Sequence, residues 1–293
     1  MEKKRILITG KGSYIGTSFI NWVKQWPEQY EVEELSVRGE AWKSQDFSSY
    51  DAVLHLAGIA HVSADPKMEQ EYYRVNRDLA IDVAKKAKNE NVGQFIFMSS
   101  IIVYGDSGRI NKKRVIDMTT IPVPTNFYGN SKLQAEKGIE KLKADNFIVT
   151  IIRPPMIYGQ NSKGNYAKLS NFARILPIFP DINNQRSMLY IENLCEFIRF
   201  MVDDLAGGLF FPQNAEFVRT AEIVKLIAEI HHKKIRLTKV FNLILYTIGY
   251  FVGAINKAFG NLVYKKEISI YVRNYRVRTL YESIKQTETE NYN

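Results

Sequence analysis

Four short segments, RILITG (5–10), DAVLHLAG (51–58), QFIFMSS (94–100) and NFIVTIIRPP (146–155), are apolar at nearly every position. A strand wetted on one face alternates polar and apolar residues, whereas one without alternation is covered on both faces. EVEELSVR (31–38) adds a further strand. Between the strands run helical patterns, SYIGTSFINWVKQW (13–26), EQEYYRVNRDLAIDVAKKAKNEN (69–91) and NFYGNSKLQAEKGIEKLKA (126–144), the last opened by the breakers of IPVPTN. Strand–helix alternation with buried strands predicts an α/β chain built on a doubly wound parallel sheet.

The alternation stops after Pro155. Residues 156–186 are rich in Asn, Gly, Pro and Lys, and a helix at 191–204 returns to the sheet layer. The expected division is a nucleotide-binding domain of 1–155 plus 187–205, a smaller C-terminal substrate-binding lobe of 156–186 plus 206–285, and a polar tail of 286–293. The chain has 293 residues, 45% hydrophobic and 24% charged, which places it among soluble globular proteins.

One cysteine, Cys195, excludes an internal disulfide and fits a reducing, hence cytoplasmic, compartment. It lies in an apolar helical pattern and reads as core. The net charge is +9, with much of the excess late, in HHKKIRLTK and YKKEISIYVRNYRVR. A solvated surface explains it first, then an anionic substrate or an acidic membrane surface. Nucleic acid is disfavoured, because the cations form no single helix face. VFNLILYTIGYFVGAIN (240–256) is uncharged, but its glycines, asparagines and length of about 17 residues place it at the bottom of the spanning range. No stable membrane insertion is expected of it; it reads as a buried or interfacial helix.

The first strand runs into TGKGSYIG. Gly10, Gly12 and Gly16 allow a tight turn and close approach of a pyrophosphate, which the amides and positive dipole end of the next helix would bind. Ser13 fills a slot where glycine is usual. A simple strand–helix turn would look much the same on this fragment alone. Tyr128 and Lys132 are four apart on a helix, so they share a face. An ammonium beside a phenol is expected to lower the phenol's pKa toward neutrality and make Tyr128 a general acid or base. Ser100, at a strand end, can hydrogen-bond a substrate oxygen. The histidines 55, 61, 231 and 232 have no partners at metal-ligand spacing, so no metal site is expected. His61 contacts substrate or packs in its loop.

Taken in order, TGKGSYIG, DAVLHLAGIAHV, the asparagine of YYRVN, FIFMSSIIVYG, YGNSKLQAEK, IIRPPMIYG, and KGNY followed by NQRSMLYIENL resemble the extended short-chain dehydrogenase/reductase family, in its NAD-dependent epimerase/dehydratase branch of Rossmann-fold nucleotide-sugar enzymes. The resemblance spans about residues 5–200. It implies Tyr128 as acid/base, Lys132 as its tuner and a ribose contact, and Ser100 as the group orienting the sugar oxygen. It places the cofactor against Gly10, Lys11, Gly12, Ser13, Tyr14, Ile15, Gly16, Leu56, Ala57, Gly58 and Asn76. Asp46 and Phe47 would meet adenine, and Pro155 and Ile157 the nicotinamide. Ser100, Ile101, Asn165 and Arg186 would hold the substrate, the last two at its diphosphate.

Two departures narrow this expectation. Family members that remove water from the sugar carry an acidic pair after the strand-end serine or threonine. Ile101 and Ile102 stand there and can neither protonate a leaving hydroxyl nor accept a proton, so a 4,6-dehydratase is excluded. After the second strand the chain offers Ser36, Val37 and Arg38 in place of the acid usual for NAD. Arg38 and Lys11 could hold a 2′-phosphate and tip the choice between NAD and NADP slightly toward NADP, unless Arg38 faces solvent and Glu40 serves as the acid. The expected activity is hydride transfer at C4 of a nucleotide sugar, most readily a UDP-sugar, as 4-epimerase or 4-ketoreductase in surface polysaccharide precursor synthesis. The resemblance also implies a homodimer through the helices at 69–91 and 126–144. A non-catalytic dinucleotide sensor or scaffold is the reading from another class.

Overall fold

The computed structural model describes residues 2–60, 65–106, 108, 110, 112–249 and 252–289. Its strands are β1 (Lys4–Thr9), β2 (Tyr30–Leu35), β3 (Ala52–His55), β4 (Gln94–Met98), β5 (Arg114–Ile116), β6 (Ile148–Ile152), β7 (Met156–Tyr158), β8 (Ile178–Pro180), β9 (Met188–Tyr190), β10 (Gly208–Phe210), β11 (Arg236–Thr238) and β12 (Leu262–Tyr264). Its α-helices are α1 (Tyr14–Val23), α2 (Glu69–Tyr72), α3 (Leu79–Asn89), α4 (Phe127–Glu140), α5 (Asn165–Ile175), α6 (Ile191–Asp203), α7 (Thr220–Ile230), α8 (Asn242–Ile248), α9 (Gly253–Phe259) and α10 (Leu280–Thr289). Two compact units result, residues 1–105, 121–154 and 194–212 in the first and 106–120, 155–193 and 213–293 in the second.

The first unit is built on a parallel six-stranded sheet of order β10-β6-β4-β3-β1-β2. The order reverses between β1 and β3, and a crevice opens at the carboxyl ends of such a pair. The apolar runs are buried as expected. Val53, Phe95, Phe97 and Val149 pack with Ala80, Val83, Ala84 and Ala87 of α3 and with Ala135 and Ile139 of α4. The alanine face lets α3 lie close to the sheet.

Thr9, His55, Gln94 and Thr150 are fully buried polar side chains of these strands, and His55 is the titratable one. His55 is fully buried, stacks at 5.8 Å on Phe95 and 6.0 Å on Phe97, and shares a 2.8 Å hydrogen bond with Thr9 Oγ1. Burial, with a smaller push from Lys132, lowers its pKa to about 3, so it folds neutral. The unfolded chain takes up the proton near pH 6.5 and the folded chain only near 3. The stabilisation is therefore present above 6.5 and is lost as pH falls through that window, by about 1.4 kcal/mol per pH unit. Urea midpoints at pH 7 and pH 5 are expected to differ accordingly, and His55→Gln should flatten the difference.

The boundaries of the two units differ from the expected ones at four places. Residues 187–193, expected with the first domain, fall in the second unit, where β9 pairs with β7. Residues 208–210 form β10, which extends the first unit's sheet by pairing with β6. Residues 114–116 form β5, which pairs with β12 in the second unit. Residues 286–289, expected as tail, complete α10; there Glu288 accepts hydrogen bonds from Tyr166 and Ser170, both 2.9 Å, and bonds His231 at 2.7 Å. The helix expected over 69–91 is interrupted by a π-helical turn, Tyr73–Asp78. The 240–256 segment is not a buried helix. It is split into α8 and α9, and no residue of α8 is buried. Among the described residues no helix is long and apolar enough to cross a membrane.

Candidate active site

The first unit gathers three loops at the carboxyl ends of its strands. After β1, Gly10 has φ +121° and Gly12 φ +72°. A Cβ on Gly10 would stand 2.7 Å from the Ala57 backbone nitrogen, so the loops after β1 and β3 touch only because the residue is glycine. Ser13 is the N-cap of α1, and its Oγ accepts the Gly16 N–H at 3.2 Å. Ser13 thus does work that glycine cannot, satisfying one first-turn amide of α1 at the end of the strand. Tyr14 and Ile15 begin α1 and are half-buried; burial raises the Tyr14 phenol's pKa. Gly10→Ala is expected to cost about 1–3 kcal/mol through strain alone and to reduce dinucleotide binding further. Gly12→Ala, with nothing within 4 Å of the new Cβ, should cost less in both respects. Melting curves and NADH titration of the two variants check this.

After β3, the Leu56 and Ala57 amides both donate to Thr9 O at 2.8 Å. A Cβ on Gly58 would meet Asn76 Oδ1 at 2.9 Å and Lys132 Nζ at 3.3 Å. Asn76 sits in the π-helical turn, fully buried. Its Oδ1 accepts the Ile59 N–H at 2.8 Å and its Nδ2 donates to Ile59 O at 3.2 Å. Its side chain is committed to shaping this loop. Such turns recur at functional sites because they re-aim one side chain out of the helical register.

After β4 comes Ser100, hydrogen-bonded to the Tyr128 phenol. Ile101 donates its N–H to Pro154 O at 2.9 Å, and Ile102 O lies where Gly129 permits close approach. Tyr128 is 8% exposed, its ring 6.0 Å from that of Tyr72. Lys132 is 6% exposed, donates to Met98 O at 2.9 Å and lies 4.7 Å over the Phe97 ring. The expected lowering of the tyrosine is not what this geometry produces. Burial pushes Tyr128 up to about 12 against the pull of Ser100, and burial brings Lys132 down to about 8. Spacing correctly put the two on one face; desolvation decides their proton affinities, and Tyr128 is held as a neutral hydrogen-bond donor.

A polar network under this site escaped the sequence reading. Arg153 forms a bidentate pair with Glu136, Nε–Oε1 2.9 Å and Nη2–Oε2 2.5 Å, and Nη1 donates to Tyr104 OH at 2.7 Å. Burial opposes the guanidinium's charge, but Glu136 holds its proton affinity above the usual value. Ser99 donates to the same carboxylate. Glu136 continues the 128, 132 spacing by one more turn of α4, which was the signal available. Glu34 was also passed over: its Oε1 accepts the Gly12 N–H at 3.0 Å.

The other candidates are placed as follows. Lys11 and Arg38 are exposed, and Glu40 is exposed and paired with Lys43. Phe47 is buried in the core with its N–H donated to Glu90 at 2.6 Å, while Asp46 turns back on the Ser48 amide at 2.8 Å. Pro155, Ile157, Asn165 and Arg186 belong to the second unit. There Ile157 lies in β7, Asn165 is exposed at the start of α5, and Arg186 bridges Val218 and Leu262 through its backbone. Arg186 Nη1 donates to Ala258 O at 3.4 Å, and burial lowers the guanidinium to about 10. His61 lies outside the described residues. Among the described residues no cluster of metal-ligating side chains occurs.

The glycine-walled crevice, the capped helix and the buried Tyr–Lys pair fit a dinucleotide, and comparison with known proteins gives the arrangement its class. Residues 6–209 match the model of the NAD dependent epimerase/dehydratase family. The chain is 30% identical over 248 residues to a UDP-glucose 4-epimerase of Vibrio cholerae, covering 77% of this chain and 75% of that protein. It is 29% identical over 222 residues to an N-acetyl-α-D-glucosaminyl-diphospho-ditrans,octacis-undecaprenol 4-epimerase of Escherichia coli O157:H7, covering 69% of this chain and 64% of that protein. A UDP-glucuronic acid 4-epimerase from Bacillus cereus in complex with NAD superposes with a TM-score of 0.74 at 17% identity, covering 97% of this chain and 95% of that one. RMD from Pseudomonas aeruginosa, complexed with NADPH, does so with 0.72 at 18%, covering 98% and 99%. The chain belongs to the NAD dependent epimerase/dehydratase family.

Proposed function

We propose that the protein is a nicotinamide-dependent 4-epimerase of diphosphate-linked sugars, with UDP-sugars as the first substrates to test. The observation that carries this is the Ser100–Tyr128 hydrogen bond set beside the buried Lys132 at the carboxyl ends of the strands. A bound dinucleotide would supply the hydride acceptor and return the hydride. Ser100 orients the C4 oxygen; Tyr128, as the phenolate that the neighbouring Lys132 favours once ligands are bound, takes the C4 hydroxyl proton as the hydride leaves and gives it back when the hydride returns. Arg186 and Asn165 meet the diphosphate. Both catalytic groups are retained, which disfavours a sensor or scaffold. Isoleucines at 101 and 102 disfavour dehydration.

Curated relatives include 4-epimerases, which supports that outcome over a 4-ketoreductase. Glu34, at the Gly12 amide, favours NAD over the NADP that Arg38 and Lys11 would support: a carboxylate accepts ribose hydroxyls and repels a 2′-phosphate. A cytoplasmic homodimer pairing through α2–α3 and α4 completes the reading. A polyprenyl-diphosphate sugar is the second substrate class, favoured by the exposed apolar segment of α8.

The test is incubation with UDP-glucose and with UDP-N-acetylglucosamine without added cofactor, read by proton NMR, together with chromatography of any dinucleotide released on denaturation. Appearance of the C4 epimer and released NAD support the reading. Turnover only with added NADPH, giving a single reduced product, overturns it in favour of a ketoreductase.

A further inference from the structure

We infer that α8 and the described apolar residues beside it, Val240, Phe241 and Val252, dock the protein onto an anionic lipid bilayer. α8 has the sequence NLILYTI, yet none of its residues is buried. A surface helix ordinarily turns such residues inward. Here Val240 and Leu243 are each 77% exposed and Ile244 57%, with Phe241, Ile248 and Val252 above 40%. Neighbouring chain extends the apolar surface. β8 pairs with β11 immediately before this segment, Ile178 opposite Arg236, and Asn242 Nδ2 donates to Asp181 O at 2.9 Å. Ile175, 76% exposed, Leu176 and Ile178 belong to that edge. Isolated exposed apolar residues are ordinary; a cluster of this kind marks an interaction surface.

Charge selects the partner. No Asp or Glu occurs between Glu229 and Glu267, whereas Lys233, Lys234, Arg236, Lys239, Lys257, Lys265 and Lys266 do. Lys233, Lys234, Arg236 and Lys239, just before the apolar run, are exposed. The neighbouring carboxylate of Asp181 is paired with Arg219 at 2.6 Å. Cations flanking an apolar face are complementary to an anionic headgroup layer over acyl chains. A helix of seven residues is about 10 Å long, so α8 can lie in the interface but cannot cross a bilayer.

The segment also leads to the proposed substrate site. α9 ends at Phe259, and Arg186 Nη1 donates to Ala258 O within it. Docking would bring the diphosphate-binding arginine close to the bilayer surface. That consequence rests on the proposed function; docking itself does not.

The test is cosedimentation of the full chain, without substrate, with vesicles of phosphatidylethanolamine containing about one-third phosphatidylglycerol, and with phosphatidylcholine vesicles. Wild type is expected to pellet with the anionic vesicles and to be released by high salt. Leu243→Asp with Ile244→Asp should lower the bound fraction by about tenfold while leaving UDP-sugar turnover unchanged. Both positions are exposed, and circular dichroism confirms the fold. Wild type remaining in the supernatant, or the double variant pelleting equally, overturns the proposal. Loss of a wild-type dimer in the variant, with no vesicle binding by either, overturns it too and assigns the face to a second copy of the chain. Binding is read without catalysis, so failure here is distinct from failure of the epimerase reading.

Discussion

Tyr128→Phe is expected to lower turnover by about a thousandfold while leaving NADH binding within about twofold of wild type. The hydroxyl is the only atom removed. The ring keeps its place beside Tyr72, so the helix and its neighbours are undisturbed. The lost atom is hydrogen-bonded to Ser100 and is the proton carrier of the proposed reaction. Its pKa near 12 without ligand means that deprotonation must be driven by what binds beside it. Lys132, brought down to about 8 by burial, is the positioned cation that can assist, and Lys132→Met should depress turnover and move its pH profile. Steady-state rates and fluorescence titration check both variants. Tyr128→Phe with undiminished turnover would remove the tyrosine from the mechanism.

Arg153→Met is expected to destabilise the fold by about 3–5 kcal/mol, the largest effect on stability among the changes considered. The Arg153 and Glu136 side chains are 7% and 4% exposed. Removing Arg153 leaves a buried carboxylate with a hydrogen bond from the Ser99 hydroxyl and no partner beyond the nearby Lys132 charge. Exposed pairs such as Lys85–Asp82 should contribute well under 1 kcal/mol, because water already solvates both groups. Combining Arg153→Met with Glu136→Leu removes the stranded charge and is expected to recover much of the loss. Denaturant titration of the single and double variants measures the coupling, and a single-variant cost below about 1 kcal/mol would show the pair to be dispensable. The pair joins α4 to β6 and, through Ser99, to the end of β4, so it also positions Tyr128.

The buried strands were legible because a run without polar residues leaves a strand no wetted face. The glycine loop was legible because Gly10 and Gly12 stand where the backbone needs positive φ. Tyr128 and Lys132 declared themselves by a spacing of four. Glu136 and Arg153 did not, since they lie on different elements 17 residues apart and meet only once α4 covers the sheet. Glu34 depends on register: Ile8 pairs with Glu34, which brings that side chain to the start of the glycine loop. Proton affinities were misjudged for the same reason, because spacing reports neighbours and not burial. The apolar α8 reads from its sequence as buried or interfacial, and composition could not choose between the two, because it reports a residue's preference for leaving water and not whether the fold offers it anything to leave water for.

The π-helical turn at Tyr73–Asp78 has one residue more than an α-turn would use, so it acts as a phase shifter. Before it, Tyr72 is buried beside Tyr128; after it, Ala80, Val83, Ala84 and Ala87 are buried against the sheet. Without the extra residue the two stretches would differ by about 100° in the face they bury. One helix therefore answers to two surfaces with different demands, and Asn76 is the residue left over at the change of phase. Deleting a single residue there would be a rotation rather than a shortening: either the alanine face would leave the sheet or Tyr72 would leave the tyrosine it supports.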